Sequence, residues 1–228
     1  MALEISSPQP LDNMDRAGAS KSKPIRSRWQ RALRATAFGI IGILSILWYV
    51  GVFGGNLHEV LPGELYRSAQ LTGSNLRSAL EKDHIRTVIN LRGPETGDPW
   101  WKNETAVCRG MGVGHVDVAF SASHLPPPKE LSRLMAALDN SPRPVLLHCM
   151  GGSDRTGLAA TLYLTLYKHV PLDQAEEEEL TLRYGHIKWG SARAMDQFFD
   201  LYRQTAGGLA LRNWIRSYYP SLYQRRPM

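Results

Sequence analysis

The chain has 228 residues, of which 43% are hydrophobic and 21% charged, and its formal net charge is +6. This composition is typical of a globular protein and excludes disorder along the whole length. The basic residues are most concentrated in residues 1–35, so the charge gives little support to a nucleic-acid partner. Two cysteines, Cys108 and Cys149, are too few for a disulfide scaffold and lack the spacing of a zinc knuckle.

The N-terminal part of the chain predicts a tail followed by a membrane span. Residues 1–35 show no helical or strand period and predict a flexible basic tail. Residues 36–55 contain no Asp, Glu, Lys or Arg and carry Trp48 and Tyr49 toward their far end, which predicts one transmembrane helix. A buried core helix and a cleaved signal peptide are the alternatives. The basic residues before the span predict a single-pass membrane protein with a cytoplasmic N-terminus and a following domain on the non-cytoplasmic, in a bacterium periplasmic, side.

The remaining chain alternates strands and helices. A hairpin is predicted around Pro62 and Gly63, a turn dipeptide between apolar residues. The later strands are predicted at 84–92, 113–118 and 143–149, and the helices at 72–82, 101–109, from the HLPPP segment to Leu138, and at 156–168. Helices follow from Leu172 to about Tyr218. This order predicts an α/β fold with a mostly parallel sheet flanked by helices, with residues 56–205 as one domain and 206–228 as a C-terminal helical extension.

The segment VLLHCMGGSDRTG lies at a predicted strand-to-helix junction. Five residues, two of them glycine, separate Cys149 from Arg155. Such a loop can direct successive backbone N–H groups into one concavity, to which the following helix adds its positive dipole end. A phosphate dianion fits this cradle, and Arg155 can close it with a bidentate contact. Because the same positive environment stabilises a thiolate, the pattern predicts Cys149 as a nucleophile.

The pattern His148-Cys149-(five residues)-Arg155-Thr156-Gly157 resembles the signature of the protein tyrosine and dual-specificity phosphatase superfamily. The HCxxGxDRTG form is similar to its atypical bacterial, plant and fungal branches. The upstream stretches LYRSAQ and VINLR are similar to those branches too, so the resemblance covers roughly residues 57–205. It implies a phosphatase that works through a phosphocysteine at Cys149 and needs neither metal nor cofactor.

The resemblance also implies roles for the residues around the nucleophile. Arg155 would bind the phosphate oxygens, Thr156 would donate its hydroxyl to the sulfur, and His148 would orient the loop from behind. Relatives with lysine before the Asp gain a charge for polyanionic substrates, and this chain has Ser153 there. The loop amides expected to bind phosphate are those of Met150, Gly151, Gly152, Ser153 and Asp154.

Two aspartates compete for the role of general acid. Many relatives take this residue from a loop before the last strand, where this chain offers Asp117 at the end of a strand. Asp154, inside the signature, is favoured, although it could instead form a structural ion pair or cap. Arg92 closes a strand and could reach the phosphate, or serve structure alone. Cys108 is expected to be an ordinary buried cysteine, with a resolving thiol as the less favoured role.

The sequence therefore predicts a membrane-anchored enzyme that hydrolyses phosphate monoesters, with phosphotyrosine or another phosphoprotein as substrate. A phosphatase acting on a membrane lipid phosphate is the alternative. A non-catalytic phosphate-binding module is a weaker one, because Cys149, Arg155 and Thr156 are all present.

Overall fold

The computed structural model describes residues 25–225, without the side chains of residues 25–28 and 47–53. Most of the predicted N-terminal tail, residues 1–24, therefore lies outside the described residues, as do residues 226–228. The chain divides after Leu44 into two compact units, each of which is described by itself.

Helix α1 runs over Ile25–Phe53 and begins before residue 36, where the sequence placed its start. Arg, Ala and Leu are good helix formers, which explains the earlier start. Over the residues that the structure describes, no helix combines the length and the hydropathy of a membrane span. The predicted transmembrane helix over 36–55, part of which lies outside the described side chains, is not supported, nor is the single-pass localisation that rested on it.

The described residues form one sheet of five strands, β1 His58–Leu61, β2 Leu65–Ser68, β3 Thr87–Asn90, β4 Gly114–Asp117 and β5 Val145–His148. Their order in the sheet is β1-β2-β5-β3-β4. The first two make the predicted hairpin and pair antiparallel, whereas the β2–β5, β5–β3 and β3–β4 pairs are parallel. The mostly parallel sheet flanked by helices is therefore confirmed.

Helices connect the parallel strands and complete the C-terminal part. The last described helical segment continues beyond Tyr218, the end expected from sequence, to Gln224. Two tighter or wider turns interrupt the series, a 3-10 helix at Leu182–Tyr184 and a π-helix at Trp214–Tyr218. The α-helices after α1 are α2 Gly73–Lys82, α3 Pro99–Gly110, α4 Pro128–Asn140, α5 Asp154–Tyr167, α6 Leu172–Glu179, α7 Ala194–Thr205, α8 Leu211–Asn213 and α9 Tyr219–Gln224.

A hydrophobic core covers each face of the sheet, because successive strand residues point to opposite sides. Ile89 and Leu147 belong to the larger core, and their strand neighbours Val88 and Leu146 belong to the smaller one. The C-terminal segments add Trp214 to the larger core. The parallel strands β2, β3 and β5 end at the same edge of the sheet, which is where ligands gather in open α/β folds.

Candidate active site

A loop joins the end of β5 to the start of α5 at this edge. Cys149 follows the last residue of β5, is 2% exposed, and carries a free thiol. Gly152 adopts a φ of +71°, and a Cβ there would lie 2.4 Å from the Ala69 nitrogen. Only glycine fits so close to another backbone in the left-handed region. The glycine of the motif therefore sets the tight curve that returns the chain into α5.

Arg67, a fully buried residue of β2, supports this loop from the protein side. Its Nη2 donates to the carbonyl oxygens of Gly152 at 2.8 Å and Ser153 at 3.3 Å, and its Nη1 is paired with the carboxylate of Glu179. The Tyr184 ring covers the guanidinium, 3.8 Å from Cζ to the ring centroid. A trans peptide holds its C=O and the next N–H on opposite sides. The buried Arg67 therefore holds these two carbonyls toward the interior, and the N–H groups of Ser153 and Asp154 point the other way.

His148 links the nucleophile to a buried carboxylate. Its Nδ1 lies 3.3 Å from the Cys149 carbonyl oxygen, and its Nε2 lies 3.0 Å from Glu104 Oε1. Glu104 also accepts from His115 Nε2 at 2.9 Å. Burial alone would raise the pKa of Glu104, but the hydrogen bonds from His115 and His148 outweigh it and lower the pKa to about 2. Glu104 is thus a carboxylate at neutral pH and fixes the His148 ring behind the loop.

Several buried polar atoms around the loop have unused hydrogen-bonding capacity. Arg155 donates from Nη1 to the Phe120 carbonyl at 3.2 Å, but its buried Nε has no partner among the described residues. The same holds, within residues 25–225, for the buried hydroxyls of Thr156 and Ser68. An unpaired buried donor costs about 1–3 kcal/mol, which a bound anion or thiolate can offset. The donors thus suit an oxyanion with several acceptor oxygens.

Asp154, the first residue of α5, is part of a chain of three side chains. Its Oδ1 accepts from His186 Nδ1 at 2.8 Å, and His186 Nε2 donates to Asp196 Oδ2 at 2.9 Å. Burial would lower the pKa of His186, but the hydrogen bonds to both carboxylates raise it to about 9. The imidazole is therefore a cation at neutral pH. The Asp154 side chain remains 24% exposed, so solvent still reaches its carboxylate.

Asp117 sits at the end of β4 and is held by donors. Asn90 Nδ2 lies 2.7 Å from its Oδ1, and Trp101 Nε1 lies 3.1 Å from the same oxygen. Asp117 is thus hydrogen-bonded to two side chains at the end of its strand. The same two donors would compete with a substrate for this carboxylate.

Arg92 is linked to the loop through Gln70. The guanidinium of Arg92 donates to the side chain of Gln70. The backbone N–H of Gln70 donates to the Met150 carbonyl at 3.2 Å. Trp100 lies against the other side of the guanidinium, 3.9 Å from Cζ to the ring centroid. Arg92 thus stands at the rim of the loop as a second cation.

Cys108 lies in the smaller core, whereas Cys149 belongs to the larger one. Burial, and next the charge of Glu104, raise the pKa of Cys108 to about 12. Cys108 is therefore a protonated thiol at neutral pH, which fits the ordinary buried cysteine expected from sequence. Both cysteines are free.

The sequence did not predict three residues that support the loop, namely Arg67, Glu104 and His186. Arg67 stood inside the quoted LYRSAQ stretch, and a charged residue in a strand that is buried throughout was the available signal. Glu104 and His186 carried no such signal, because each meets its partner only in the folded chain.

The family model described as "Tyrosine phosphatase family" matches residues 51–184. The match spans more than half of the chain, so the chain belongs to the tyrosine phosphatase family. The superfamily inferred from the Cys149–Arg155 motif is confirmed. No curated protein sequence matches the chain.

The fold is shared with solved structures, of which two are described here. The crystal structure of P. aeruginosa TpbA is 23% identical, covers 72% of this chain and 89% of its own, and superposes with a TM-score of 0.52. The core catalytic domain of the PP-IP phosphatase SIW14 from S. cerevisiae, in complex with citrate, is 20% identical, covers 70% and 93%, and also gives 0.52. At these identities the two structures show a common fold.

Proposed function

We propose that this phosphatase hydrolyses phosphate monoesters of the phosphotyrosine or phosphoprotein type through a phosphocysteine at Cys149. The observation that carries the proposal is the loop itself. It carries a buried thiol and N–H groups that point away from the buried Arg67, and Arg155 lies in the first turn of the following helix. Such a site binds a tetrahedral oxyanion and stabilises a thiolate at the same point.

The reaction has two displacements. The Cys149 thiolate attacks phosphorus, the S–P bond forms, the ester P–O bond breaks, and the leaving oxygen takes a proton. Water then attacks phosphorus, the S–P bond breaks, and inorganic phosphate leaves. Arg155 and the loop amides stabilise the charge on the equatorial oxygens in both steps. The buried Thr156 hydroxyl donates to the departing sulfur in the second step, a use for which it is free of other partners among the described residues.

Asp154 is the group we assign to proton transfer at the leaving oxygen. It lies next to Arg155 and keeps an accessible carboxylate, whereas Asp117 is engaged by Asn90 and Trp101. Proton transfer of this kind contributes on the order of 10²–10⁴ in rate. Arg92 at the rim supplies a second positive charge for groups that flank the phosphate.

An exposed apolar segment favours a lipid phosphate as the second candidate substrate. Leu182, Ile187 and Trp189 are exposed, Trp189 to 88%, and Lys188 lies among them. The segment adjoins the site because His186, within it, contacts Asp154. Tryptophan and lysine together suit the boundary between lipid headgroups and acyl chains.

The test measures initial phosphate release by the full chain from a phosphotyrosine peptide and from an anionic lipid monophosphate in micelles. Cys149→Ser is the blank in both assays, and Cys108→Ala is the matched control for loss of the other thiol. Release by wild type and by Cys108→Ala, but not by Cys149→Ser, is the expected result. Faster release from the lipid would select the second candidate. A wild type as inert as Cys149→Ser on both substrates would leave a phosphate-binding module instead.

A further inference from the structure

Asp154 does not stand alone, because a buried imidazole connects it to a second carboxylate. His186 follows the 3-10 helix, Asp154 opens α5, and Asp196 lies in the first turn of α7. The two hydrogen bonds, 2.8 Å and 2.9 Å, use both ring nitrogens of His186. The His186 side chain is fully buried, so no bulk water reaches it. The three side chains thus form one continuous path for a proton from inside the domain to the loop.

The charges around the ring require the protonated form. Asp154 and Asp196 contact the imidazole, and the Oδ1 of Asp196 is buried without a partner in the described part of the chain. An uncompensated buried carboxylate is strongly unfavourable, and the imidazolium is what compensates it. Glu177 and Lys188 line the cavity of about 360 Å³ beside His186, and their opposite charges leave the balance at the ring to the two aspartates. In agreement, the pKa of His186 is raised to about 9.

We propose that Asp196, His186 and Asp154 form a proton relay in which His186 supplies, through Asp154, the proton that the leaving oxygen takes. This inference rests on the proposed phosphatase function and on Asp154 facing the leaving group. His186 does not touch substrate and is a positioning and relay residue. Asp196 holds the ring in place and keeps it charged between turnovers.

The proton balance closes over the two displacements. As the ester P–O bond breaks, the Nδ1 proton of His186 passes to the Asp154 carboxylate, and the carboxylic acid so formed gives this proton to the leaving oxygen. The imidazole is then neutral and keeps its Nε2–H on Asp196. When water attacks the phosphocysteine, its proton passes to Asp154 and on to His186. The cycle therefore ends with the imidazolium restored and consumes one phosphate ester and one water.

Substrates with different leaving groups distinguish a proton relay from an ion pair that only stabilises the fold. A tyrosine oxygen, with a phenol pKa of ≈ 10, needs a proton as it departs, whereas a nitrophenolate departs with little need of one. In His186→Asn the amide can still donate to Asp154 but can deliver no proton. We expect kcat of the full chain on a phosphotyrosine peptide to fall by at least about tenfold, and kcat on 4-nitrophenyl phosphate by less than about threefold, with KM little changed. His169→Asn, an exposed histidine at the far end of α5, is the matched control and should match wild type on both.

The pH profile gives the second readout. With the peptide, kcat of wild type should decline above about pH 9, and Asp196→Asn should move this decline to lower pH by about one unit or more, because the ring loses a carboxylate. Equal losses on both substrates in His186→Asn, or an unmoved decline in Asp196→Asn, would overturn the relay while phosphatase activity stands. An inert wild type would instead overturn the proposed function and the relay with it. Should a variant fail to fold, NMR titration of the His186 ring in wild type decides, since a ring that titrates near 6.5 refutes the relay.

Discussion

The charge on His186 makes the stability of the domain depend on pH in a defined direction. The folded chain raises the pKa of this imidazole from 6.5 to about 9, because the hydrogen bonds to Asp154 and Asp196 outweigh the opposing effect of burial. Since the folded form binds the proton more tightly, the stabilisation is fully present below about pH 6.5. It is lost as the pH rises through about 9.

The size of this effect follows from the shift. At ~1.4 kcal/mol per pKa unit, the change from 6.5 to about 9 corresponds to about 3 kcal/mol of unfolding free energy. Between about pH 6 and about pH 10, wild type should therefore lose about 3 kcal/mol more than His186→Asn, which has no imidazole to deprotonate. Tyrosines, lysines and the remaining histidines titrate in both proteins and cancel in the comparison.

Urea unfolding of the full chain, followed by tryptophan fluorescence at the two pH values, measures this difference. His169→Asn should follow wild type, because it removes an exposed histidine and leaves His186 in place. If wild type and His186→Asn lost the same free energy over this range, the imidazolium between the two aspartates would not exist in solution. The relay would lose its charged intermediate as well.

Three other substitutions test the supports of the loop. Gly152→Ala places a Cβ 2.4 Å from the Ala69 nitrogen at a φ of +71°. The rate of phosphate release should therefore fall by at least about tenfold, while the circular dichroism spectrum stays unchanged. A loss of rate no larger than that of Gly151→Ala would contradict the close approach. Arg67→Met leaves the buried Glu179 carboxylate and two loop carbonyls unpaired, so the unfolding free energy measured in urea should fall by about 3–5 kcal/mol. A change below about 1 kcal/mol would show that Arg67 does not support the loop. Burial would raise the pKa of Glu104, but two histidine hydrogen bonds lower it to about 2, so the stabilisation by its carboxylate is present above about pH 4.5 and lost as the pH falls through about 2. Between about pH 6 and about pH 2, wild type should therefore lose about 3 kcal/mol more unfolding free energy than Glu104→Gln. Equal losses in the two proteins, measured by urea unfolding at both pH values, would refute this.

The strand, loop and helix around Cys149 could be predicted because their signals are local. The run from Val145 to His148 is apolar and short, two glycines follow it, and the next residues favour helix. The mostly parallel sheet could also be predicted, because strand and helix patterns alternate along the chain. The end of the last helix could not be predicted, because the chain passes through a π-helix at Trp214–Tyr218 that no sequence period indicates.

The supports of the loop could not be predicted because they depend on strand order. Arg67 and Glu179 are 112 residues apart, and they meet because β2 lies next to β5 in the sheet. His186 reaches Asp154 across 32 residues through an irregular segment after α6. Hydrophobic periods reveal which face of an element is buried but not which element packs against it. The polar partners of a site are therefore the part that sequence patterns miss.

The three buried networks act on different parts of the same loop. Arg67 holds the carbonyl of Gly152, His148 holds that of Cys149, and His186 holds the side chain of Asp154. Buried charges contribute little net stability compared with apolar packing, so networks of this kind are explained better by the geometry that they impose. A phosphate site requires that geometry, because its donors must already point inward when charge develops on the oxygens. Two of the networks contact the backbone of the loop, and the third forms the proposed proton relay. Loss of Arg67 should therefore affect all monoesters alike, whereas loss of His186 should affect those with poor leaving groups.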